Sequence, residues 1–277
     1  MRLAATLRSE LSKLFRQRVT YAGFAVVLVL VSLLTWGTYH EKDRLAVDRS
    51  LGSDFIVAGK SVTALFVAHA AMDVAMVILL PLLVAFVLGG LVSGETQSGT
   101  LRTLLTRPVS RPVVLLSKLV TGWAYAIAVT AFLGLSGLAI GYAVFGWGDL
   151  VIFRGGLLIL EPTAGLVRLA QAYALAAYAM CAVGAVAVLL SVIFDNPLAA
   201  AGLTVAFLVV SGTVQLIPYF EKVKPYLLTT NLALYQECLK ASVSTGAITT
   251  AAWHLLAYVV GATVIALLVF VRRDVTC

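Results

Sequence analysis

The sequence predicts an all-α membrane protein with six transmembrane helices, and three observations lead to this prediction. Charged residues make up 12% of the chain, about half of the share that is typical of a soluble domain. Hydrophobic residues make up 61%, and the mean hydropathy is +1.01. Six long gaps separate the charged residues, and each is longer than the roughly 20 apolar residues with which a helix crosses the hydrocarbon core.

The gaps between charged residues give the positions of the six spans. They contain 22, 34, 30, 26, 25 and 31 residues in chain order, and Asp73 is the one charge inside the second gap. We therefore predict a single transmembrane domain over residues 1–277, with spans at about residues 19–39, 71–93, 119–146, 169–193, 197–217 and 248–271. Membrane β-strands are excluded, because the apolar runs do not alternate and far exceed the roughly 9 to 11 residues of such a strand.

The distribution of basic residues predicts that both termini are cytoplasmic. The N-terminal segment, the connection between spans two and three, the turn between spans four and five and the C-terminal tail hold 11 basic and 4 acidic residues. The loops on the opposite side hold 9 basic and 8 acidic residues. The positive-inside rule assigns the basic side to the cytoplasm, so we expect a multi-pass protein of the inner (plasma) membrane. Topology and contact with the lipid bilayer account for the net charge of +7, and no nucleic-acid partner is expected.

The first 18 residues have the pattern of an amphipathic helix. The apolar residues of its stripe are Leu3, Leu7, Leu11, Leu14 and Phe15. The pattern describes an N-terminal interfacial helix under the inner leaflet, and packing against the cytoplasmic loops explains it equally well.

The second apolar run contains a carboxylate. As a helix, its 34 residues would be about 51 Å long, so its start lies outside the hydrocarbon core or the helix tilts strongly. Counting back about 20 residues from Ser93 puts Asp73 near the outer interface and His69 one turn above it. A solvated interfacial pair and a role in a transport or proton pathway both remain open.

The outer segment, residues 218–247, is longer than a tight connection needs. Leu232, Tyr235 and Leu239 share one helical face, which predicts a short amphipathic helix on the outer surface. This helix caps the exit of a pathway, or it is an interfacial helix that Tyr219, Tyr226 and Tyr235 anchor.

We expect neither an enzyme nor a metal or cofactor site in this chain. The sequence GKS at residues 59–61 resembles the end of a phosphate-binding loop, but Asp54 occupies the place where that motif needs glycine. No HExxH or GxSxG motif occurs. The spacing of Cys181, Cys238 and Cys277 indicates neither a disulfide framework nor a metal site.

The connection between spans two and three, residues 94–118, is amphipathic and basic. Gly94 and Gly99 are expected to end span two, and Ser98 or Thr96 to cap a new short helix. In that helix the apolar residues Leu101, Leu104 and Leu105 follow the i, i+3, i+4 pattern.

Two prolines limit this short helix. Pro108 is expected to end it, and Pro112 to begin the helix that continues into span three. From these residues alone, an anchor in the lipid interface and a docking helix for a cytoplasmic partner are equally supported.

The same loop resembles a known family of membrane proteins. The residues that carry the resemblance are Glu95, Gly99, Thr100, Leu101, Leu104, Leu105, Arg107, Pro108, Ser110 and Arg111, followed by LLSKLV at residues 115–120. They are similar to the cytoplasmic loop of ABC-2 type transporter permeases, and ELSKLFRQRVTY at residues 10–21 is similar to the start of such chains. The resemblance implies six spans, a homodimer or heterodimer of permeases, and two copies of a separate ABC ATPase subunit that binds ATP and magnesium.

By this resemblance, the loop at residues 94–111 is a coupling helix that contacts the ATPase. The implied contact residues are Glu95, Gly99, Thr100, Leu101, Arg102, Leu104, Leu105, Arg107 and Pro108. The expected function is that of the permease subunit of an ATP-driven exporter. Two alternatives remain: a membrane anchor or regulator that recruits a cytoplasmic partner without transport, and an ion-coupled secondary transporter, for which Asp73 is the one intramembrane charge on offer.

Overall fold

The computed structural model describes residues 2–47, 62–100, 110–152, 158–240 and 242–272, with side chains described outside residues 2–5 and 41–47. Within these ranges, six helices are long and apolar enough to cross a membrane. Their number confirms the six spans predicted from the charge gaps. Their length and composition indicate a multi-pass membrane protein.

The helices are mostly longer than the predicted spans. Helix α1 covers Arg2–Leu14 and α2 covers Arg18–Val47. Helix α3, Ala64–Val74, continues through a turn of π-helix at Ala75–Leu79 into α4, Leu80–Gln97. The next three long helices are α5, Arg111–Phe145, α6, Pro162–Ile193, and α7, Pro197–Leu216.

The remaining elements lie near the C-terminus. Short 3-10 turns at Pro218–Phe220 and Lys224–Tyr226 precede helix α8, Leu228–Leu232, and a 3-10 helix at Ala233–Leu239. The last long helix is α9, Thr245–Arg272.

Prolines lie in the first turns of three of the long helices, and the sequence predicts the one that begins α5. Pro112 lies in the first turn of α5 and Pro197 in that of α7, where a missing backbone N–H costs no helical hydrogen bond. The side chain of Asn196 caps α7 by accepting a hydrogen bond of 2.9 Å from the backbone N–H of Leu198.

A small β-hairpin corrects the prediction of an all-α chain. Strand β1, Leu150–Ile152, pairs antiparallel with β2, Leu158–Leu160. All residues of β1 are buried. Strands of three residues are too short to show an alternating pattern in the sequence, so the hairpin was not expected.

The two ends of the helix bundle differ in what they contain. We call the end where α1 contacts the start of α5 the α1 end. There the guanidinium of Arg111 in α5 donates a hydrogen bond of 3.1 Å to the carbonyl of Val271 in α9. We call the other the hairpin end; there the Thr63 hydroxyl, which caps α3, donates a hydrogen bond of 2.9 Å to the carbonyl of Asp149.

Small residues bring α3 and α5 into close contact. A Cβ atom placed on Gly137 would lie 2.9 Å from the Cα of Ala68, and one on Gly141 would lie 3.0 Å from the Cα of Ala64. The two pairs form facing small-xxx-small patterns, which let helix backbones approach closely where lipid supplies no hydrophobic driving force between helices.

Helix α6 lies at the centre of the bundle. In its most apolar stretch 67% of the residues are buried, compared with 22% in α7 and 28% in α2 and α9. The Ser191 hydroxyl oxygen of α6 accepts hydrogen bonds of 3.1 and 3.0 Å from the backbone N–H groups of Val92 and Ser93 in α4. The peripheral helices α2, α7 and α9 therefore present the apolar surface available to lipid or to another chain.

Candidate functional site

A buried lysine lies at the α1 end of the bundle, where α5 begins. The side chain of Lys118 is 1% exposed. Its ammonium group lies 3.0 Å from Glu10 Oε2, 2.8 Å from Glu95 Oε1 and 3.0 Å from the carbonyl oxygen of Leu91. The ammonium group donates hydrogen bonds to Glu10 Oε2 and to the Leu91 carbonyl and forms an ion pair with Glu95, so the buried charge has partners, which is the condition under which it is tolerated.

One further charged group, Lys13, completes this arrangement. Lys13 lies 2.9 Å from Glu10 Oε1 and 3.2 Å from Glu95 Oε1. We call Glu10, Lys13, Glu95 and Lys118 the charge cluster; with two carboxylates and two ammonium groups, it has no net charge. Lys13 is about half exposed and Glu10 is almost fully buried, so the interior of the cluster is the Glu10–Lys118 pair.

The charge cluster joins three elements that are distant in the sequence. Glu10 and Lys13 lie on α1, Glu95 is near the end of α4, and Lys118 is two turns into α5. The Thr20 hydroxyl also donates a hydrogen bond of 2.6 Å to the carbonyl of Leu14, which fixes the turn from α1 into α2. Helix α1 is thus packed on α4 and α5, whereas the sequence had left open an interfacial helix and packing against the cytoplasmic loops.

The surroundings of the charge cluster shift the pKa values of its groups on α1. Burial raises the pKa of Glu10, but Lys118 and Lys13 outweigh burial and hold it below its ordinary value. Burial lowers the pKa of Lys13, but Glu10 and Glu95 outweigh burial and raise it. Both groups are therefore charged at neutral pH.

These shifts predict how stability depends on pH. The pKa of Glu10 lies below its ordinary value of 4.5, so its contribution is complete above pH 4.5 and declines as pH falls through the lowered pKa. We expect Glu10→Gln to be less stable than wild type by about 2 kcal/mol at neutral pH. The difference in stability between wild type and Glu10→Gln should shrink in acid. Thermal unfolding in an uncharged detergent between about pH 3 and pH 7 measures this difference.

Stability should also depend on pH in the alkaline range. The pKa of Lys13 lies above 10.5, so its contribution to stability is complete below pH 10.5 and is lost as pH rises through the raised pKa.

If the stability difference between wild type and Glu10→Gln stayed constant down to the lowest pH, the ionised carboxylate of Glu10 would not be the stabilising species.

Three of the predicted contact residues lie within or just beyond the charge cluster. Glu95 belongs to it, which the loop pattern did not predict. Gly99 has a φ of +69°, a left-handed conformation that suits glycine and turns the chain out of α4. The Thr100 hydroxyl lies 2.9 Å from the hydroxyl of Ser98. The remaining predicted residues are outside the described ranges: Leu101, Arg102, Leu104, Leu105, Arg107 and Pro108.

Two expectations for this turn are wrong in detail. Helix α4 continues through Gly94 to Gln97, because Gly94 packs against Pro197 and needs no special backbone conformation. The hydroxyls of Thr96 and Ser98 donate to carbonyls of α4, at Val92 and Gly94, instead of capping a new helix. The GKS sequence at residues 59–61 is also outside the described ranges.

A second polar group, at the hairpin end, contains the predicted pair Asp73 and His69. The His69 Nε2 atom lies 3.6 Å from Asp73 Oδ2. The hydroxyl of Tyr235 donates a hydrogen bond of 3.1 Å to Asp73 Oδ1 and accepts one of 3.0 Å from the side chain of Gln236. Tyr235 is 2% exposed, unlike Tyr219 and Tyr226 at 88% and 62%, so its predicted role as a surface anchor is wrong.

Comparison with known proteins assigns this chain to a family. The family described as "Protein of unknown function (DUF2705)" matches residues 24–276. The chain belongs to the DUF2705 family. The match begins after α1, so within this DUF2705 protein it includes Asp73, Glu95 and Lys118 but not Glu10 or Lys13.

One relative of this DUF2705 protein is the Bacillus subtilis (strain 168) protein named "Uncharacterized protein YhcI". The two are 28% identical over 208 residues, which are 72% of this chain and 65% of the relative. The aligned part of the chain therefore spans slightly less than two thirds of the length of that relative.

Proposed function

We propose that this chain is the membrane subunit of an ATP-driven exporter of the ABC-2 permease type. A separate ATPase subunit binds the loop at residues 94–111. That subunit, and not this chain, binds ATP and magnesium. The observation that carries the proposal is the charge cluster, which joins α1 to the two helices that flank this loop.

The contacts at the base of the loop support a coupling role. Helix α4 ends at Gln97 and α5 begins at Arg111. Glu95 and Lys118 are near the two ends of the connection, and Lys118 Nζ lies 2.8 Å from Glu95 Oε1. Separating them would leave buried charge without its partner, which costs several kcal/mol. A displacement of the loop is therefore passed to α4 and α5 together, instead of being absorbed by bending of the connection.

Sidedness and assembly follow from the same proposal. The α1 end faces the cytoplasm, in agreement with the excess of basic residues on that side, and both termini are cytoplasmic. Two permease copies assemble with two ATPase subunits in the plasma membrane. Closure of the ATPases around ATP moves the two loops, and α4 and α5 of each copy carry that motion into the membrane.

Replacing the proposed docking leucines tests the ATPase contact. We expect the double substitution Leu104→Asp and Leu105→Asp to weaken co-purification with the proposed ATPase subunit by at least about tenfold, since charge replaces the apolar anchors of the docking helix. The matched control is Leu216→Asp, at an 80% exposed leucine on α7 at the hairpin end. Size-exclusion chromatography with quantification of both subunits gives the ratio.

The outcomes separate the proposal from its alternatives. An unchanged complex in a variant that unfolds at the wild-type temperature contradicts docking through this loop. A complex whose ATPase rate in lipid nanodiscs equals that of the free ATPase favours a membrane anchor over a transporter.

A further inference from the structure

A cleft at the hairpin end combines an apolar wall with one polar end. It has a volume of about 370 Å³ and lies between the π-helical turn Ala75–Leu79, α7 and the segment from α8 to Gln236. This volume is within the range of roughly 300 to 1,000 Å³ that is typical of small-molecule sites. π-Helical turns are rare and often occur at functional sites.

The polar groups of the cleft lie together in its part nearest the hairpin end. Gln215, near the end of α7, lines it together with Thr229, Tyr235 and Gln236. The buried hydroxyl of Thr229 has no hydrogen-bond partner among the residues that the structure describes. A buried hydroxyl ordinarily has one, so a hydrogen-bonding group in the cleft would satisfy it.

Asp73 does not line the cleft, but it brings a negative charge close to this end. It lies one helical turn from Met76 and Val77, which line the cleft, and it accepts the hydrogen bond of Tyr235, which also lines it. The side chain of Asp73 remains 25% exposed. A carboxylate held in this way at the edge of an apolar cleft attracts a cation more strongly than it would in bulk water.

The opposite part of the cleft is apolar. Pro81, Val205 and Leu208 line it. Val205 and Gln215 are both on α7 and ten residues apart, which corresponds to about 15 Å along a helix axis. The cleft therefore suits an elongated molecule with one polar end.

We propose that this cleft binds an amphipathic cation, with its ammonium head at Asp73 and Gln236 and its alkyl chain along Pro81 and Leu208. Charge complementarity with Asp73 selects the head, and the length of the apolar wall selects the chain. The proposal concerns this chain alone and does not depend on an ATPase partner.

A photoreactive dodecyltrimethylammonium probe tests the proposal on the full chain in a neutral maltoside detergent. We expect labelled peptides from α4, α7 and residues 228–239, and competition by unlabelled dodecyltrimethylammonium. Dodecanol, which has the same chain and no charge, should compete at least about tenfold less well, a difference of about 1.4 kcal/mol. Labelling outside the cleft, or equal competition by dodecanol, would overturn the proposal.

Two pairs of variants locate the two parts of the ligand. Asp73→Asn should remove the preference for the cation over dodecanol, whereas Asp195→Asn, an exposed acid at the α1 end, should retain it. Gly212→Trp, at an open position that lines the cleft, should abolish labelling. Gly202→Trp, at an open position of α7 that does not line it, should not. An unfolded Asp73→Asn protein leaves the tryptophan pair as the deciding test, and full labelling of Gly212→Trp contradicts the proposed site.

Discussion

Replacement of Lys118 with methionine is expected to destabilise the protein by about 3 to 5 kcal/mol, the ordinary cost of removing one partner from a buried ion pair. Methionine preserves the apolar stem of the side chain but removes the ammonium group. Glu10 and Glu95, whose side chains are 4% and 18% exposed, would then share Lys13 alone. The charge cluster would carry one uncompensated negative charge in a place that water reaches poorly.

The matched control is Lys240→Met. Lys240 forms an ion pair with Glu237, but its side chain is 43% exposed. Exposed pairs contribute about 0 to 1 kcal/mol, so this variant should unfold close to wild type. Denaturation with SDS in mixed micelles, monitored by far-ultraviolet circular dichroism, measures the free energy of unfolding of both variants.

A triple variant distinguishes loss of charge balance from loss of packing. Glu10→Gln and Glu95→Gln, combined with Lys118→Met, leave no buried carboxylate without a partner, and Lys13 is free to turn into solvent. Since neutral replacement of a buried ionic group is often tolerated, the triple variant should recover at least half of the stability that Lys118→Met loses. If the single and triple variants were equally unstable, packing around the lysine stem would explain the loss.

The spans could be predicted because charges are excluded from lipid, and the same rule explains what the prediction missed. The helix that continues into the third span was expected to begin at Pro112, and α5 begins at Arg111. The burial of Lys118 inside this helix was not expected, because its charge was assigned to the loop. Its acceptors on Leu91 and Glu10 are 27 and 108 residues away in the sequence. A pattern within one helix cannot reveal that distant residues will satisfy a charge.

The polar group at the hairpin end was half predictable for a related reason. Asp73 interrupts an apolar run, and His69 is one turn away, so their proximity follows from helical spacing. The contact of Asp73 with Tyr235 joins residues 162 positions apart. The pattern of Leu232, Tyr235 and Leu239 identified a buried face correctly, but it did not show which element that face would meet. Helix periodicity predicts which side of an element is apolar, whereas its partner depends on tertiary packing.

Gly137→Leu is the second substitution with a large expected effect, a loss of about 3 kcal/mol from overpacking at a helix contact. A Cβ atom on Gly137 would already lie 2.9 Å from the Cα of Ala68. That neighbour is backbone, so it cannot turn aside as a flexible side chain would. Accommodating the leucine requires α3 and α5 to separate along the facing small residues, which include Gly141 and Ala64.

The control keeps the chemistry of the substitution and changes only the space around it. Gly202, on the exposed side of α7, has no neighbouring atom within 4 Å of an added Cβ. Gly202→Leu adds the same side chain in the middle of a helix and should be neutral or slightly stabilising, since leucine is the better helix former. The difference between the two variants in SDS denaturation thus isolates the α3–α5 contact.

Separation of α3 from α5 would also be felt beyond that contact. Asp73 is on the same helix as Ala68, so movement of α3 away from α5 displaces it. The same movement would strain the hydrogen bond of 2.8 Å that the hydroxyl of Tyr173 on α6 donates to the carbonyl of Ala68. We therefore expect Gly137→Leu to weaken binding of the dodecyltrimethylammonium probe as well as stability, while Gly202→Leu changes neither. If Gly137→Leu were as stable as Gly202→Leu, the close approach of α3 and α5 would not be the arrangement in the folded protein.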